Sequence, residues 1–425
     1  MNNPKFISFA ESEIDFIDGD RGTNYPSKSE LIANGYCVFL NTGNVKKTGF
    51  DFTRVEFIDE EKDKKLRKGK VRQGDIVLTT RGTVGNVALV TSDTPFKNIR
   101  INSGMVIVRT DPEKYDPYFI LLFFRSSLFQ KQCLSHGSGS AQPQLPISAL
   151  KYISFPNIDI DHQRKVVSAA SCIDKKIELN NRINAELESI AKILYDYWFV
   201  QFDFPDDSPQ GKPYKTTGGK MVYNPTLKRE IPEEWGDSTI GSIEPNIVTG
   251  KTPSKDNPEY FGGNVPFITI GDIRGNTYIV STEETLTDSG AATQKNKFLP
   301  EDSICVTCIA SPGLVGFVTT PAQTNQQINS VVCSNDINKY YLYFAIKSYF
   351  EGANAKTGNT FSNMNKGDFS TIGILKPSDQ VLQDYHQKAY PLFEQIKLKL
   401  LENKKLVKLR DWLLPMLMNG QVTIK

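Results

Sequence analysis

The chain has 425 residues, with 50 Lys and Arg against 48 Asp and Glu, a net charge of +2 and 39% hydrophobic residues. This length predicts two or three domains and the composition is that of a globular protein. No run approaches the roughly 18 apolar residues of a membrane-spanning helix, which excludes a helical membrane protein.

The opening Met1-Asn-Asn-Pro-Lys-Phe lacks the basic-then-apolar pattern of a signal peptide. Cys37, Cys133, Cys172, Cys305, Cys308 and Cys333 are too scattered for a disulfide framework, so a reducing cytoplasm is expected. His136, His162 and His386 leave little room for His-based chemistry.

In chain order, the first feature is Lys62 to Arg72 (KDKKLRKGKVR), with seven basic residues and one acid. Two readings stand for it: a solvated helix face, or a patch that tracks phosphates. Asp75 to Thr80 and Val84 to Val90 predict a strand–turn–strand, with Gly82 and Gly85 as turn signals. An aromatic run, Tyr118 to Arg125, and a polar, glycine-bearing loop to Gln144 follow. From Asp161 to about Phe199 there is no Pro or Gly. The residues Val166, Ala170, Ile173, Ile177, Asn180, Asn184, Leu187, Ala191, Leu194 and Trp198 recur in 4-3 alternation, the spacing of a coiled-coil seam. Asp203 to Pro232, rich in Pro, Gly, Asp and Lys, is a linker or extended connection.

The second half repeats the first. Phe39 to Val45 (FLNTGNV) matches Phe267 to Ile273 (FITIGDI) at an offset of 228. At that offset Ile76, Thr79, Gly85 and Val87 fall on Ile304, Thr307, Gly313 and Val315, and at 227 Ile101-Asn-Ser103 falls on Ile328-Asn-Ser330. Ser303 to Ala310 and Leu314 to Thr319 repeat the strands, Tyr340 to Lys347 the aromatic run, and Gly358 to Asn365 the loop. The seam recurs at an offset of 219, on Tyr385, Ala389, Leu392, Ile396, Lys399, Asn403, Leu406, Arg410, Leu413 and Leu417. Lys399 and Arg410 weaken it, and Pro391 either bends its first turn or marks its true start. Asn184 and Asn403 hold equivalent positions; a buried Asn costs stability but sets register, so the match favours a specified pairing over a generic amphipathic surface. Two helices that each pack only on their own domain are the competing reading.

Several motifs resemble chemistry without completing it. Gly250-Lys-Thr252 lacks the glycine a phosphate loop needs at position 245, which is Pro. Asn257-Pro-Glu-Tyr260 resembles the Asn-Pro-Pro-Tyr of DNA amino-methyltransferases, but its third residue is Glu and no glycine loop for S-adenosylmethionine follows a strand. Cys305-x-x-Cys308 lacks a partner pair at zinc spacing. No nucleophilic triad can be assembled, so no catalytic residue and no metal site is assigned.

Taken together, the duplication, the seams and several short motifs resemble the specificity subunit of a type I restriction–modification system. The motifs are Gln73-Gly-Asp-Ile-Val-Leu with Gly82-Thr-Val-Gly85, Leu145 to Pro156 leading into His162-Gln163, Ile173-Asp-Lys-Lys-Ile177 and Tyr195-Asp-Tyr-Trp-Phe199. Ile231-Pro-Glu-Glu-Trp235, Thr249-Gly-Lys-Thr-Pro253, Leu409-Arg-Asp-Trp-Leu-Leu-Pro415 and Asn419-Gly-Gln-Val422 complete them. The resemblance implies a mixed α/β (α+β) chain with two tandem target recognition domains, each followed by a long helix. The two helices would pair as an antiparallel coiled coil. The expected division is 1–155 and 231–378 for the recognition domains, 156–204 and 379–425 for the central and distal helical regions, and 205–230 for the linker.

The resemblance further implies a non-catalytic, sequence-specific reader of double-stranded DNA. Each domain would read one half of a bipartite target, and the helices would set the spacing and dock two adenine methyltransferase subunits. A restriction subunit would join, and S-adenosylmethionine, ATP and Mg would be used by the partners, with no cofactor in this chain. The alternatives are a stand-alone methyltransferase or nuclease and a coiled-coil protein scaffold. Side chains that neutralise phosphates or read base edges are expected among Lys46, Lys47, Arg54, Lys64, Lys65, Arg67, Lys68, Arg81, Lys97, Asn98, Arg100 and Gln142. In the second half they are expected among Lys251, Lys255, Arg274, Lys295, Lys297, Asn325, Gln326, Gln327, Ser362, Asn363 and Asn365. The expected seam is Ile173, Ile177, Asn184, Leu187 and Leu194 with Leu392, Ile396, Asn403, Leu406 and Leu413. Residues 1–160 carry 21 basic side chains and 18 acids, and residues 205–380 carry 15 and 19, so the second domain is the weaker phosphate binder.

Overall fold

A computed structural model describes residues 5–136, 144–206, 208–357, 363–419 and 422. The chain forms two compact units, Met1–Lys176 with Leu406–Lys425, and Ile177–Lys405. The first unit is therefore built from two stretches of chain and the second from one, and each long helix belongs partly to one unit and partly to the other.

The first unit holds a four-stranded antiparallel sheet in the order Asp15–Asp18, Met105–Arg109, Ile76–Thr79, Val87–Leu89. A mixed sheet of Phe57–Ile58, Cys37–Leu40 and Ile99–Ile101 lies beside it, its last pair parallel. The strands run apolar because both faces are covered; every residue of Ile76–Thr79 and Cys37–Leu40 is buried. One cover is the helix Pro117–Arg125. Asp116 caps it by accepting hydrogen bonds from the Tyr118 and Phe119 amides, and Pro117 opens it. Phe119 to Phe124 are all buried, the mark of a helix enclosed on every side.

The second unit repeats the plan of both sheets. Its sheet runs Ile247–Thr249, Ile328–Val331, Ile304–Thr307, Val315–Val318, with Tyr278–Ile279 added at the edge. Its mixed sheet is Glu284–Leu286, Phe261–Ile268 and Gln323–Thr324, again with one parallel pair. The aromatic run becomes a 19-residue helix, Lys339–Thr357, longer than the Pro- and Gly-punctuated sequence suggests. The Ile-Asn-Ser match at offset 227 is corrected: Ile101 ends a parallel strand, whereas Ile328 begins the strand paired with Thr307, as Met105 pairs with Thr79.

The repeat extends to buried polar contacts. In the first unit Arg100 donates to Asp63 from the strand beside the helix Glu60–Lys65. At the same place in the second unit Gln323 donates to the Ala291 and Gln294 carbonyls beside the helix Asp288–Ala292. An ion pair and an amide ladder solve one problem, the satisfaction of a buried strand side chain.

The first long helix spans Ile160–Tyr195 and widens into a π turn over Asp196–Val200. The second spans Asp379–Met418. Pro391 neither starts nor ends it, and lies on the exposed face of the helix. Within the second unit the two helices run antiparallel, with Trp198 against Tyr385 and Asn180 against Asn403. None of the ten expected seam residues is exposed. Asn184 and Asn403 are both buried, and the hydrogen bonds of Asn403 go to Asn180 and Asn181. Asn180 Nδ2 donates to Asn403 Oδ1 at 2.8 Å, and Asn403 Nδ2 donates to Asn181 Oδ1 at 2.8 Å. Asn184 is buried on the same face, and its amide makes no hydrogen bond among the described residues.

Within the first unit, Leu414, Leu417 and Met418 from the end of the second helix join a core with Val166, Ala170 and the aromatic helix. Arg410, the charged seam position, donates to Asp174 at 2.8 Å, and Tyr118 Oη donates to the same carboxylate. Burial alone would lower Arg410's affinity for its proton, but Asp174 and Asp411 more than offset it. Lys399, the other charged position, reaches Glu402 at 3.9 Å.

The expected linker is not slack. Met221–Asn224 and Arg229–Pro232 form a hairpin, and Phe204 stacks between Tyr214 and Trp235 at 4.7 Å from each ring. Tyr195, Trp198 and Phe199 of the Tyr-Asp-Tyr-Trp-Phe motif are likewise core residues.

Asn403→Leu alone should destabilise the protein by about 1–3 kcal/mol, because it leaves the buried Asn180 amide with Glu402 as its single acceptor among the described residues and removes the bond to Asn181. Asn180→Leu with Asn403→Leu should recover or exceed the parent melting temperature while allowing alternative registers. Thermal unfolding combined with disulfide trapping between the helices reads both effects; a harmless single variant would contradict the paired geometry.

Candidate nucleic-acid interface

At one edge of the first unit, four loops converge through backbone bonds. The strand Cys37–Leu40 runs into a turn closed by Asn41 and Asn44, whose side chains cap each other's backbone. Asn44 is buried and also holds the Asp51 and Arg54 carbonyls at 3.0 and 2.8 Å. The small hairpin that follows, Val45–Lys46 with Gly49–Phe50, exposes Lys46 and Lys47. Asn86 ties this hairpin to the turn after Ile76–Thr79 by donating to the Val45 carbonyl at 2.9 Å.

That turn carries Arg81, which is exposed. The Thr80 and Arg81 amides both donate to the Gly104 carbonyl, and the Leu145 amide donates back to Thr80. Arg21, which sequence reasoning missed, reaches the Ser103 carbonyl at 3.4 Å from a loop with no distinguishing pattern. Among the described residues no ion pair holds Lys46, Lys47, Arg54, Arg67, Lys68 or Arg81. The edge thus presents fixed backbone and free cations, which suits phosphate positioning.

The long basic run divides. Lys62 pairs with Glu30, Lys64 with Glu60, Lys65 with Glu61 and Lys70 with Asp63, so most of its charge is internally balanced. Arg67 and Lys68 keep theirs; the Arg67 amide is pinned by Asp20. Lys97 is exposed and Asn98 half-buried, with the Asn98 carbonyl serving Val38. Arg100 is corrected from reader to scaffold. Its Nε donates to Asp63, Nη1 to the Lys68 carbonyl, and Nη2 to the Asp63 and Leu66 carbonyls, so four of its five N–H donors are held inside the unit and the side chain is buried. Gln142 and Ser362 lie outside the described residues.

The second unit assembles the same four loops with different chemistry. Thr269 and Asp272 form the capping pair in place of Asn41 and Asn44. The turn after Ile304–Thr307 closes through Gly313 to Thr307, as Gly85 does to Thr79. Its Ala310 sits at φ 63, where the first unit places Gly82 at φ 72; a residue with a Cβ costs about 1–2 kcal/mol there. The Cys308 amide donates to Gln327 and the Met364 amide to Cys308, the counterparts of Thr80 with Gly104 and Leu145 with Thr80.

Arg274 is exposed and reaches Ser311 at 3.1 Å. Gln326 is exposed, its carbonyl oxygen held by Thr252 at 2.6 Å. Asn325 and Gln327 bond each other and are half-buried, and Asn365 caps the helix Lys366–Ser370. Lys251 and Asn363 are exposed near these loops; Lys255 lies 3.7 Å from Glu284. Lys295 and the half-buried Lys297 bound the turn 295–297, whose repeat counterpart carries Arg67. This edge is richer in amides and poorer in cations than the first.

The incomplete motifs are structural. The Gly250 and Lys251 amides, which a phosphate loop would need free, donate to Ile328 and Thr324, and a Cβ on Gly250 would meet the Asn325 carbonyl at 2.1 Å. Burial pushes the Cys305 thiol up to about 12 and the Cys308 thiol to about 11, the reverse of a metal-binding thiolate. No cluster of three or more metal-ligating side chains occurs among the described residues, and no helix is long and apolar enough to cross a membrane.

Arg100→Met should destabilise the first unit by about 3–5 kcal/mol, because it leaves the Asp63 carboxylate buried. Burial works to raise the Asp63 carboxyl, but Lys70 and Arg100 hold it below its ordinary value. The pair's contribution is therefore present above pH about 4 and fades as pH falls through that depressed value. Arg81→Ala should leave the melting temperature unchanged and reduce the salt slope of DNA binding by about one unit. Melting curves against pH and binding titrations against salt check the two expectations; reversed outcomes for the two arginines would contradict the assignment.

Comparison with known proteins follows this duplication. The type I restriction modification DNA specificity domain matches twice, over residues 14–189 and 232–406. The specificity subunit of the type I restriction enzyme HindI from Haemophilus influenzae is 28% identical, over 95% of this chain and 98% of its own length. That of the MjaIX enzyme from Methanocaldococcus jannaschii is 25% identical over 83% and 78%. A solved specificity subunit from M. genitalium covers 98% of this chain and 97% of its own at 15% identity, with a TM-score of 0.49. With both halves matched, the chain belongs to the family of type I restriction–modification DNA specificity subunits, which are not themselves catalytic.

Proposed function

We propose that this chain selects the target for a type I restriction–modification complex by reading two separated half-sites, one with each loop-bearing edge. The observation that carries this reading is the recurrence in both units of the capping turn, the glycine-closed turn and the two backbone segments bonded to it, on different side chains. Equal scaffolds with unequal surfaces suit a reader of two different sequences. The functional division is 1–155 and 231–378 for recognition, 205–230 for the connection, and 156–204 with 379–425 for the helices. The paired helices set the distance between half-sites.

The partners are double-stranded DNA, two adenine methyltransferase subunits that use S-adenosylmethionine, and restriction subunits that use ATP and Mg, all in the cytoplasm and away from membranes. The acidic balance of residues 205–380 favours tight DNA binding only in the assembled complex, where partner cations add phosphate contacts.

Replacing residues 1–150 with the matching segment of another specificity subunit should alter one half-site of the methylated motif and leave the other intact. Genome-wide mapping of methylated adenines in cells carrying the hybrid reads this directly. Alteration of both half-sites would overturn independent reading.

A further inference from the structure

One glycine and one asparagine build the same platform in both units. Strand pairing sets the correspondence. Asp18 faces Val106 as Thr249 faces Asn329, and Met105 faces Thr79 as Ile328 faces Thr307. Gly19 and Gly250 are therefore equivalent, as are Asn102 and Asn325. A Cβ on Gly19 would meet the Asn102 carbonyl at 2.2 Å, and one on Gly250 would meet the Asn325 carbonyl at 2.1 Å. The Asn102 side chain accepts from the Gly104 amide at 2.9 Å, and the Asn325 side chain from the Gln327 amide at 3.1 Å. Two loops thus touch backbone to backbone at one place in each unit, with no room for a side chain between them.

Two residues beyond each glycine, and one beyond each asparagine, the chain places residues that meet across this contact. In the first unit they are Arg21 and Ser103. Arg21 Nη2 reaches the Ser103 carbonyl at 3.4 Å and Asp18 at 3.2 Å. In the second unit they are Thr252 and Gln326, and Gln326 Oε1 accepts from the Thr252 hydroxyl at 2.6 Å. Arg21 and Gln326 are both exposed. The platform is shared and the side chains standing on it are not.

We propose that these equivalent pairs determine specificity: Arg21 reads a guanine in one half-site, and Gln326, positioned by Thr252, reads a guanine in the other. The inference rests on the reading that the loop-bearing edges contact DNA, and it assigns one base contact to each edge. Gln326 has no charge with which to hold a phosphate, so its exposure on a rigid platform serves base reading. Its carbonyl oxygen is turned to Thr252, while Nε2 carries no hydrogen bond among the described residues. Gln326 therefore offers donors outward. A glutamine pairs adenine by accepting from N6 as well as donating to N7, and that acceptor is engaged. Guanine presents two acceptors, O6 and N7, whereas the N6 amine of adenine would meet a second donor. Arg21 likewise offers only donors, and a guanidinium is the commonest partner of guanine O6 and N7.

The parent chain and its variants are each co-expressed with the cognate methyltransferase, and methylated adenines are mapped genome-wide. Competition binding of the assembled complex to duplexes carrying each base at each target position accompanies the map. Gln326→Ala should lower discrimination by about tenfold or more at one guanine of one half-site and leave the other half-site unchanged. Arg21→Ala should do the same in the other half-site. Both variants should melt with the parent, because both side chains are exposed. Thr252→Val removes the hydroxyl and frees the Gln326 carbonyl oxygen, so it should admit adenine at the position that Gln326→Ala relaxes. Four results would each overturn the proposal: unchanged discrimination in Gln326→Ala or Arg21→Ala, relaxation at a base other than guanine, a Thr252→Val motif identical to the parent's, or weakening that is uniform across sequences, the mark of a phosphate contact. A parent map without two separated half-sites would instead overturn the underlying functional reading.

Discussion

The antiparallel seam between the two long helices is the contact on which both units depend. The first unit closes its core from two stretches of chain, and the second takes its core from one stretch whose two ends are the paired helices. The first needs Leu414, Leu417 and Met418 from the end of the second helix, and the second needs Ala191, Tyr195 and Trp198 from the end of the first. Polar groups fix the pairing inside each unit: Asp174 holds Arg410 and Tyr118, and Asn180 with Asn181 holds Asn403. Apolar side chains alone would tolerate a slip of the helices by a heptad, whereas a buried amide or carboxylate left without its partner does not.

From that frame follows the division between what is kept and what varies. The capping turn, the glycine-closed turn and the returning backbone are common to both units, and their bonds are made by main chain or by buried Asn, Asp and Thr. The side chains these loops expose differ: Lys46, Lys47 and Arg81 at one edge, Arg274 and Gln326 at the other. A protein that reads two unrelated half-sites requires this separation, because the scaffold must not change when the surface does. Even the buried core follows the same logic, with the Arg100–Asp63 pair in one unit and the Gln323–Gln294 ladder in the other.

The duplication, the strand–turn–strand cores and the long helices were legible in the amino-acid sequence because each has a period: 228 residues between halves, 3-4 along the seam, and glycine at the turns. What failed did so for physical reasons. The Ile-Asn-Ser match at 227 is similarity of composition without similarity of pairing, since the two halves differ in loop length before that strand. Asn184 and Asn403 are repeat equivalents and both are buried, but antiparallel helices bring together residues that are not repeat equivalents, so Asn403 bonds Asn180 and Asn181. Arg100 looked like a surface cation because its partner, Asp63, is 37 residues away in sequence. Of the two readings of the basic run, the lysines follow the first, paired with Glu60 and Glu61 one helical turn away and with the distant Glu30, while Arg67 and Lys68 stay unpaired among the described residues. Arg21 carries no sequence signal, because only the fold brings its loop to Ser103.

The claim at the centre of this account is that the two four-loop edges are the DNA-reading surfaces. Hydrogen–deuterium exchange on the assembled methyltransferase complex, with and without its target duplex, tests it most directly. The account predicts new protection at residues 41–47, 80–84 and 102–104 in the first unit and at 269–274, 308–313 and 325–327 in the second. Protection confined to other surfaces, with these loops exchanging as fast in the presence of DNA as in its absence, would contradict it.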